Sequence, residues 1–313
     1  MRPLKRPPRG AALLVAMVLL SVVATLAAGM VWQQWRAVQV ETAERSRAQS
    51  GWMLMGALDW ARLILREDAR SGKPTSLNEP WATPLAEARL SSFLAVDRDN
   101  NADSGPEAFL AGAIGDAQAR YNLRNLVVDN KIDPLQLAIL QRLCTSVGLG
   151  PDTAGTVADG LLASQQADDS DAPLPPQQLA DLAWLGLDAA VLERLANVVV
   201  LLPVATPLNL NTASREVLAG VVAGLDLGSA DRLVQARVRT PLRSIADAAA
   251  IVGPGPKLLE REVDVKSSFF EVRGRLRLEN RVLESRSLVE RRSGLQVVAV
   301  QRQQQASLIQ AAP

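Results

Sequence analysis

The side chains that most often carry chemistry are scarce in this sequence. Its 313 residues include no histidine and a single cysteine, Cys144. The absence of histidine excludes a Ser-His-Asp triad, a Cys-His dyad, a His-ligated zinc site and a histidine general base. Cys144 stands in an apolar stretch and is predicted to be a small buried hydrophobic residue, not a nucleophile. No nucleophile motif accompanies the 33 acidic residues, so the sequence predicts no catalytic residue and a protein that is not an enzyme.

Two acidic clusters have the oxygen-rich character of calcium ligands. Residues 97–103 place side-chain oxygens at alternate positions, as an EF-hand loop does, but lack the glycine at position six and the glutamate at position twelve. Residues 168–171 lie in a stretch, 143–193, that has eight acidic residues and no basic one. Solvated loops are the favoured interpretation, and calcium is the one cofactor that the sequence leaves open. The candidate ligands are Asp97, Asp99, Asn101, Asp103, Asp168, Asp169 and Asp171.

A third motif has the form of a phosphate-binding element. Residues 208–214, Leu-Asn-Leu-Asn-Thr-Ala-Ser, and the Gly-Pro-Gly-Pro-Lys of residues 253–257 resemble a helix-hairpin-helix DNA-binding module. In that module, backbone N–H groups at a helix N-terminus contact a phosphate. Residues 208–260, however, carry six basic and five acidic side chains. Because phosphate neutralisation dominates affinity for nucleic acid, the sequence predicts no nucleic-acid partner.

The chain elements that must position these groups begin with an apolar N-terminal run. No charged residue lies between Arg9 and Arg36, and this length suffices for a helix that spans a bilayer. Four basic residues precede the run, which predicts that the N-terminus lies inside and that everything after Trp35 lies outside. Loss of residues 1–10 would remove those four charges and change the formal charge from +1 to −3. A secretory signal cleaved near residues 27–29 and a plain signal anchor are the two alternatives.

The remaining sequence predicts an α+β fold. Residues 36–70 have an amphipathic helical pattern, which continues the membrane segment 11–35. Residues 71–128 indicate short strands, and residues 266–302 alternate as antiparallel strands with a turn at Ser293-Gly294. Residues 303–313 have no pattern and are predicted to be a frayed tail. Residues 129–265 are predicted to be all helical, with helices at Leu135–Val147, Ala154–Ser164, Gln177–Leu185, Asp188–Val199, Ser214–Val222, Ser229–Val238, Ser244–Ile251 and Gly255–Glu262.

The N-terminal junction carries a family resemblance. A basic leader, Gly10 and an uninterrupted apolar run from Ala11 resemble the class III signal of type IV pilins and pseudopilins. The resemblance implies that prepilin peptidase cuts between Gly10 and Ala11 and that the apolar helix stays as a membrane anchor. Most of these subunits have glutamate as the fifth mature residue, where this chain has Val15. The subunit known for lacking that glutamate is protein K of type II secretion systems, and residues 78–82, 115–127, 208–218 and 264–291 also resemble that family.

Membership of the protein K family would imply both architecture and role. The implied fold is a long transmembrane and amphipathic helix packed on a small antiparallel pilin-like sheet, with a large helical insert of helix-hairpin-helix or SAM-like type. The implied partners are the minor pseudopilins I and J, the pseudopilus, prepilin peptidase and the bacterial inner membrane, with the C-terminal domain in the periplasm. The implied role is at the tip of the pseudopilus, which it would initiate or cap during export of folded proteins. The alternative is a membrane-tethered helix-hairpin-helix DNA receptor, as in competence systems.

Overall fold

A computed structural model describes residues 9–90, 108–165, 173–278 and 281–308. The first helix, α1, runs from Arg9 to Arg70, and the chain divides into two units after Met53. The first unit contains the apolar run of α1 and the more polar residues that follow it as far as Met53, and its described side chains are exposed almost throughout. Within the described residues, α1 from Ala12 onward is the one helix whose length and composition suit a membrane span. The predicted long N-terminal helix is thereby confirmed.

The second unit contains a five-stranded sheet in its described residues, with every neighbouring pair antiparallel. Its strands follow in the order β1, β2, β9, β10 and β11. They comprise Leu85–Arg89, Ala108–Asp116, Phe269–Leu278, Arg281–Arg292 and Gln296–Leu308. The last three strands form the meander that the alternating pattern predicts, with a turn at Ser293–Leu295 where Gly294 has a φ of 75°.

The C-terminal half of α1 packs on this sheet. Leu58, Ala61 and Leu65 share a hydrophobic core with Trp81 and with residues of β9, β10 and β11, namely Phe270, Val272, Val289 and Val297. Trp81 meets Phe270 edge to face, with ring centroids 5.3 Å apart, a favourable geometry for two aromatic rings. The predicted packing of the amphipathic helix on a small antiparallel sheet is therefore confirmed.

Between β2 and β9 the chain forms a helical region with its own core. Its α-helices are α2 (Pro134–Ser146), α3 (Pro151–Ala163), α4 (Ala189–Leu195), α5 (Arg215–Val221), α6 (Leu227–Arg239) and α7 (Ile245–Val252). A 3-10 helix spans Leu179–Leu185. The described part of this region also contains three pairs of two-residue strands, so the insert is mainly but not wholly helical. The pairs are β3 (Tyr121–Asn122) with β6 (Val199–Val200), β4 (Val127–Val128) with β5 (Lys131–Ile132), and β7 (Leu208–Asn209) with β8 (Val263–Asp264).

Three local predictions were wrong, each for a reason that lies in distant contacts. The helix predicted over Asp188–Val199 ends at Leu195, because Val199 pairs with Tyr121 as a parallel strand. The helix predicted over Gly255–Glu262 does not form, since the Lys257 N–H donates to the Ala223 carbonyl and Gly255 has a φ of 132°. Of the predicted frayed tail at residues 303–313, residues 303–308 are strand, because β11 pairs with β10 as far as Leu308, and residues 309–313 lie outside the described residues. The domain limits drawn from the sequence stay predictions.

Candidate functional site

A buried polar cluster lies where the insert joins the sheet. Asp116, the last residue of β2, accepts a hydrogen bond from the Gln118 N–H at its Oδ1 atom. Its Oδ2 atom accepts three more, from Asn209 Nδ2 at 2.9 Å, Thr212 Oγ1 at 2.6 Å and Ser267 Oγ at 2.6 Å. The four donors come from three separate parts of the chain. We call Thr75, Asp116, Asn209, Thr212 and Ser267 the Asp116 cluster.

The cluster continues to α1 through the guanidinium of Arg291 on β10. Arg291 Nη1 donates to Asp68 Oδ2 at 2.8 Å, and both side chains are mostly buried. Its Nη2 donates to Thr75 Oγ1 and to the Ser267 carbonyl, each at 2.7 Å. Asn209 Nδ2 also lies 3.1 Å from the Thr75 carbonyl. A buried ion pair such as Arg291–Asp68 costs free energy unless its other hydrogen-bond donors are also satisfied. The three contacts of Arg291, with Asp68, Thr75 and the Ser267 carbonyl, meet that need.

The electrostatics of Asp116 indicate a structural role. Burial raises the pKa of its carboxyl, while the hydrogen bonds from Ser267, Thr212, Gln118 and Asn209 act in the opposite direction. The Ser267 and Thr212 hydroxyls both donate to the Asp116 carboxylate, and all three residues are buried. The arrangement can therefore hold two parts of the fold together.

The polar side chains of the motif at residues 208–214 therefore form hydrogen bonds within the fold. Besides Asn209 and Thr212, the motif supplies Asn211, whose side-chain amide donates to the Leu242 carbonyl and accepts from the Leu242 N–H, both at 2.9 Å. The buried guanidinium of Arg237 on α6 donates to the carbonyls of Leu210 and Ala213. Burial lowers the pKa of Arg237 to about 10. These residues therefore build the insert and attach it to the sheet.

A helical hairpin is present, but not where the glycine pattern placed it. Helices α5 and α6 are joined by residues 222–226, with Gly224 at a φ of 81°. The N-terminus of α6, where a phosphate would bind, is capped by the Asp226 carboxylate, which accepts from the Ser229 N–H at 2.8 Å. The Gly-Pro-Gly-Pro-Lys segment opens no helix. A carboxylate at this position disfavours a phosphate through like-charge repulsion.

Comparison with known proteins finds family models that match the insert, including the hairpin and part of the Asp116 cluster. A family model for protein K of the type II secretion system matches residues 208–266, and a second family model, also for protein K of the type II secretion system, matches residues 119–204. Type II secretion system protein K of Pseudomonas aeruginosa is 27% identical over 270 residues, which cover 78% of this chain and 77% of the relative. The protein K of Pectobacterium carotovorum is 28% identical over 331 residues, covering 94% and 96%.

The chain is therefore similar to protein K of type II secretion systems through both parts of the insert. The fold agrees: a chain in the crystal structure of the GspK-GspI-GspJ complex of enterotoxigenic Escherichia coli superposes with a TM-score of 0.65. That match is 18% identical and covers 85% of this chain and 99% of the other. The α+β prediction, with a helix, a sheet and a helical insert, is confirmed.

The predicted processing residues lie at the start of α1. Gly10 and Ala11 fall within its first turn, and cleavage between them stays a prediction. Val15, at the position where most type IV pilins and pseudopilins have glutamate, is exposed on a helix whose neighbouring side chains are also exposed and apolar. The surface around Val15 therefore suits lipid or an apolar helix, which agrees with a membrane anchor.

The predicted metal ligands lie outside the described residues. They are Asp97, Asp99, Asn101, Asp103, Asp168, Asp169 and Asp171. Among the residues that the structure does describe, no group of three or more acidic, cysteine or histidine side chains is placed to hold a metal ion. Calcium binding therefore stays a prediction from the sequence.

Cys144 has the buried position that the sequence predicts. Its side chain lies in the core of the insert, where burial raises the pKa of the thiol to about 11. Sequence reasoning missed the Asp116 cluster and Arg291 entirely. One signal could have found part of it: Asn209 and Thr212 are polar residues set between the apolar Leu208, Leu210 and Ala213, a pattern typical of buried side chains with fixed partners.

Proposed function

We propose that this chain is the tip subunit of the pseudopilus, which it initiates or caps during export of folded proteins across the outer membrane. In this proposal, prepilin peptidase removes residues 1–10, and α1 holds the protein in the inner membrane with the second unit in the periplasm. There it assembles with the minor pseudopilins I and J. Its role is mechanical and involves no catalytic step, which accords with a chain that contains no histidine and has its single cysteine buried.

The observation that carries the proposal is the family match across the insert, at residues 119–204 and 208–266, in a chain that also has an apolar α1. The solved complex that shares its fold contains GspI and GspJ beside GspK, which supports the same partners here. Val15 supplies the argument for the tip. In a pilin-like filament the glutamate is thought to pair with the N-terminal amine of a neighbour, so a subunit without it needs no such neighbour above.

Two measurements test this proposal. The mature chain should co-purify from detergent-solubilised membranes with proteins I and J of the same secretion system, in equal amounts. An epitope at the C-terminus should then label assembled pseudopili at one end. Label along the whole filament would contradict the tip position, and failure to recover I and J would contradict the proposed partners.

A further inference from the structure

The last strand, β11, leaves one edge of the sheet open. It is the terminal strand in the order β1, β2, β9, β10, β11 and extends over 13 residues. Only one of those residues is ionisable, Arg302, and none is proline. Long edge strands in soluble proteins usually carry charges, prolines or a covering element, because their free backbone groups pair readily with another chain. The opposite edge, β1, has five residues and a register shift, so it offers a much shorter surface.

Hydrogen bonds from elements outside the sheet reach β11 only in its first half, among the described residues. Arg62 of α1 donates to the Val297 carbonyl at 2.7 Å, and the Gln301 side chain donates to the Gln177 carbonyl at 2.7 Å. Beyond these two points, the four residues Arg302–Gln305 are all exposed. In a strand, successive side chains point to opposite faces, so four exposed neighbours show that neither face is covered there by the described chain.

The direction of the free backbone groups follows from the register. The Arg291 N–H donates to the Ser268 carbonyl beside β9, so the backbone groups of Arg291 point away from β11. Residues of the same parity on β10, including Ser287 and Ser285, do likewise, because the pairing of β10 with β9 has no register shift. Residues that lie opposite each other in an antiparallel pair either both face the partner strand or both face away.

Arg302 and Gln304 stand opposite Ser287 and Ser285. Their N–H and C=O groups therefore point outward, away from the sheet. The Val297 carbonyl provides a check, since Val297 stands opposite Arg291 and its carbonyl is the one that Arg62 reaches from outside. Within the part of the chain that the structure describes, the second half of β11 thus presents a row of unpaired backbone donors and acceptors at extended spacing.

We propose that this edge binds an extended segment of a partner minor pseudopilin, which adds to the sheet as a further strand beside β11. The inference rests on the proposed function for the identity of the partner. The class of ligand follows from the chemistry: donors and acceptors spaced along a strand are matched by another strand. The near absence of charge on β11 removes the repulsion that would otherwise oppose pairing.

A pair of substitutions at Gln304 tests the inference. Gln304→Pro removes the outward N–H and places the proline ring on the open side, while it leaves the pairing with β10 intact, the position in which edge strands accept proline. Gln304→Ala removes the same side chain but keeps the N–H. We expect Gln304→Pro to weaken assembly of the mature full-length chain with proteins I and J by tenfold or more, a figure that corresponds to about 1.4 kcal/mol. Gln304→Ala should bind within about twofold of the unchanged chain.

Amide exchange of the unchanged chain, free and in the complex, gives a second measurement that does not depend on folding of a variant. The N–H groups of Arg302 and Gln304 should exchange fast in the free chain and slow on assembly. If the unchanged chain binds I and J while Gln304→Pro binds equally well, or these amides gain no protection, the inference is wrong and the proposed function stands. If the unchanged chain does not bind I and J, the proposed function itself fails. Loss of self-association alone in Gln304→Pro would identify a second copy as the occupant and overturn the proposal.

Discussion

Asp116 Oδ2 lies 2.9 Å from Asn209 Nδ2, although 93 residues separate them. Asp116 ends the second strand of the pilin-like sheet, and Asn209 lies in β7, at the start of the part of the insert that reads like a DNA-binding module. The contact is buried and is shared with Thr212 and Ser267. The motif at residues 208–214 resembles a phosphate-binding element, but in this chain its side chains hold the insert against the sheet through hydrogen bonds to Asp116.

The first prediction concerns the stability that Asp116 supplies. Asp116→Ala removes the acceptor of the Thr212 and Ser267 hydroxyls and of the Gln118 N–H in a buried site, while Asn209 Nδ2 keeps the Thr75 carbonyl. Unsatisfied buried groups each cost about 1–3 kcal/mol, so we expect the free energy of unfolding to fall by about 3–5 kcal/mol. Urea unfolding of the full chain in detergent measures it. The matched control is Asp159→Ala, at an exposed position on α3, which should change the unfolding free energy by less than about 0.5 kcal/mol. Equal effects of the two substitutions would refute a structural role of the cluster.

The sequence was sufficient for elements that repeat a local pattern. The alternation of Phe270, Val272, Leu276 and Leu278 predicts β9, and all four side chains are buried. The apolar run predicts α1 for the same reason. Local patterns cannot predict the Asp116 cluster, because its members come from four distant segments and each is a common polar residue. Likewise, nothing local shows that Lys257 will pair with Ala223 instead of opening a helix.

The second prediction concerns Glu262, whose side chain is 2% exposed. Its Oε1 atom has no hydrogen-bond partner among the described residues, and the Nε atom of Arg261 is 3.8 Å away. Burial raises the pKa of this carboxyl. A carboxyl with a raised pKa in the folded state contributes stability at low pH and loses it as the pH rises from its ordinary value through the raised one.

Replacing Glu262 by Gln should therefore stabilise the chain at pH 7 by about 1–2 kcal/mol, with little difference from the unchanged chain at pH 4. Unfolding free energies of both proteins across this pH range test the sign. Glu260→Gln, at an exposed position two residues away, is the control and should be neutral at both pH values. A Glu262→Gln variant that is less stable at pH 7 would show that the carboxylate has a partner in the folded protein.

The third prediction concerns processing. Prepilin peptidase should release residues 1–10, because a basic leader and Gly10 precede the apolar run. Intact-mass measurement of the membrane form should give Ala11 as the N-terminal residue. A mature start near Met30 would show instead that the run is a cleaved secretory signal, and a start at Met1 would show a plain signal anchor.

The fourth prediction concerns Val15. Val15→Glu places a carboxylate on an apolar helix face, and a charge at the centre of a membrane helix costs about 3 kcal/mol on insertion scales. With no subunit above the tip to supply an amine, the charge stays unpaired, so both incorporation into the pseudopilus and secretion should fall. Val15→Leu is the control and should secrete normally. Unchanged secretion by the Val15→Glu variant would count against the tip position.

The last prediction separates the proposed function from the DNA-receptor alternative. We expect the mature chain to bind duplex DNA no tighter than about 10⁻⁴ M at physiological salt, the weak end of non-specific binding. Two features of the region that resembles a helix-hairpin-helix module lead to this expectation. The Ser229 N–H at the N-terminus of α6 donates to the Asp226 carboxylate, and the Lys257 N–H donates to the Ala223 carbonyl. Neither of these N–H groups is free for a phosphate.

Fluorescence titration of a labelled duplex at two salt concentrations measures this affinity, and Lys257→Glu tests the segment directly. Because each phosphate contact releases counterions, real binding through the hairpin would weaken steeply with salt. Binding in the micromolar range that falls with salt and is lost in Lys257→Glu would favour the DNA receptor. A variant Asp226→Asn extends the test, since it removes the carboxylate while keeping a side-chain cap on α6. If the mature chain stays without measurable affinity and only Asp226→Asn gains some, the acidic cap is what keeps this helical hairpin from binding phosphate.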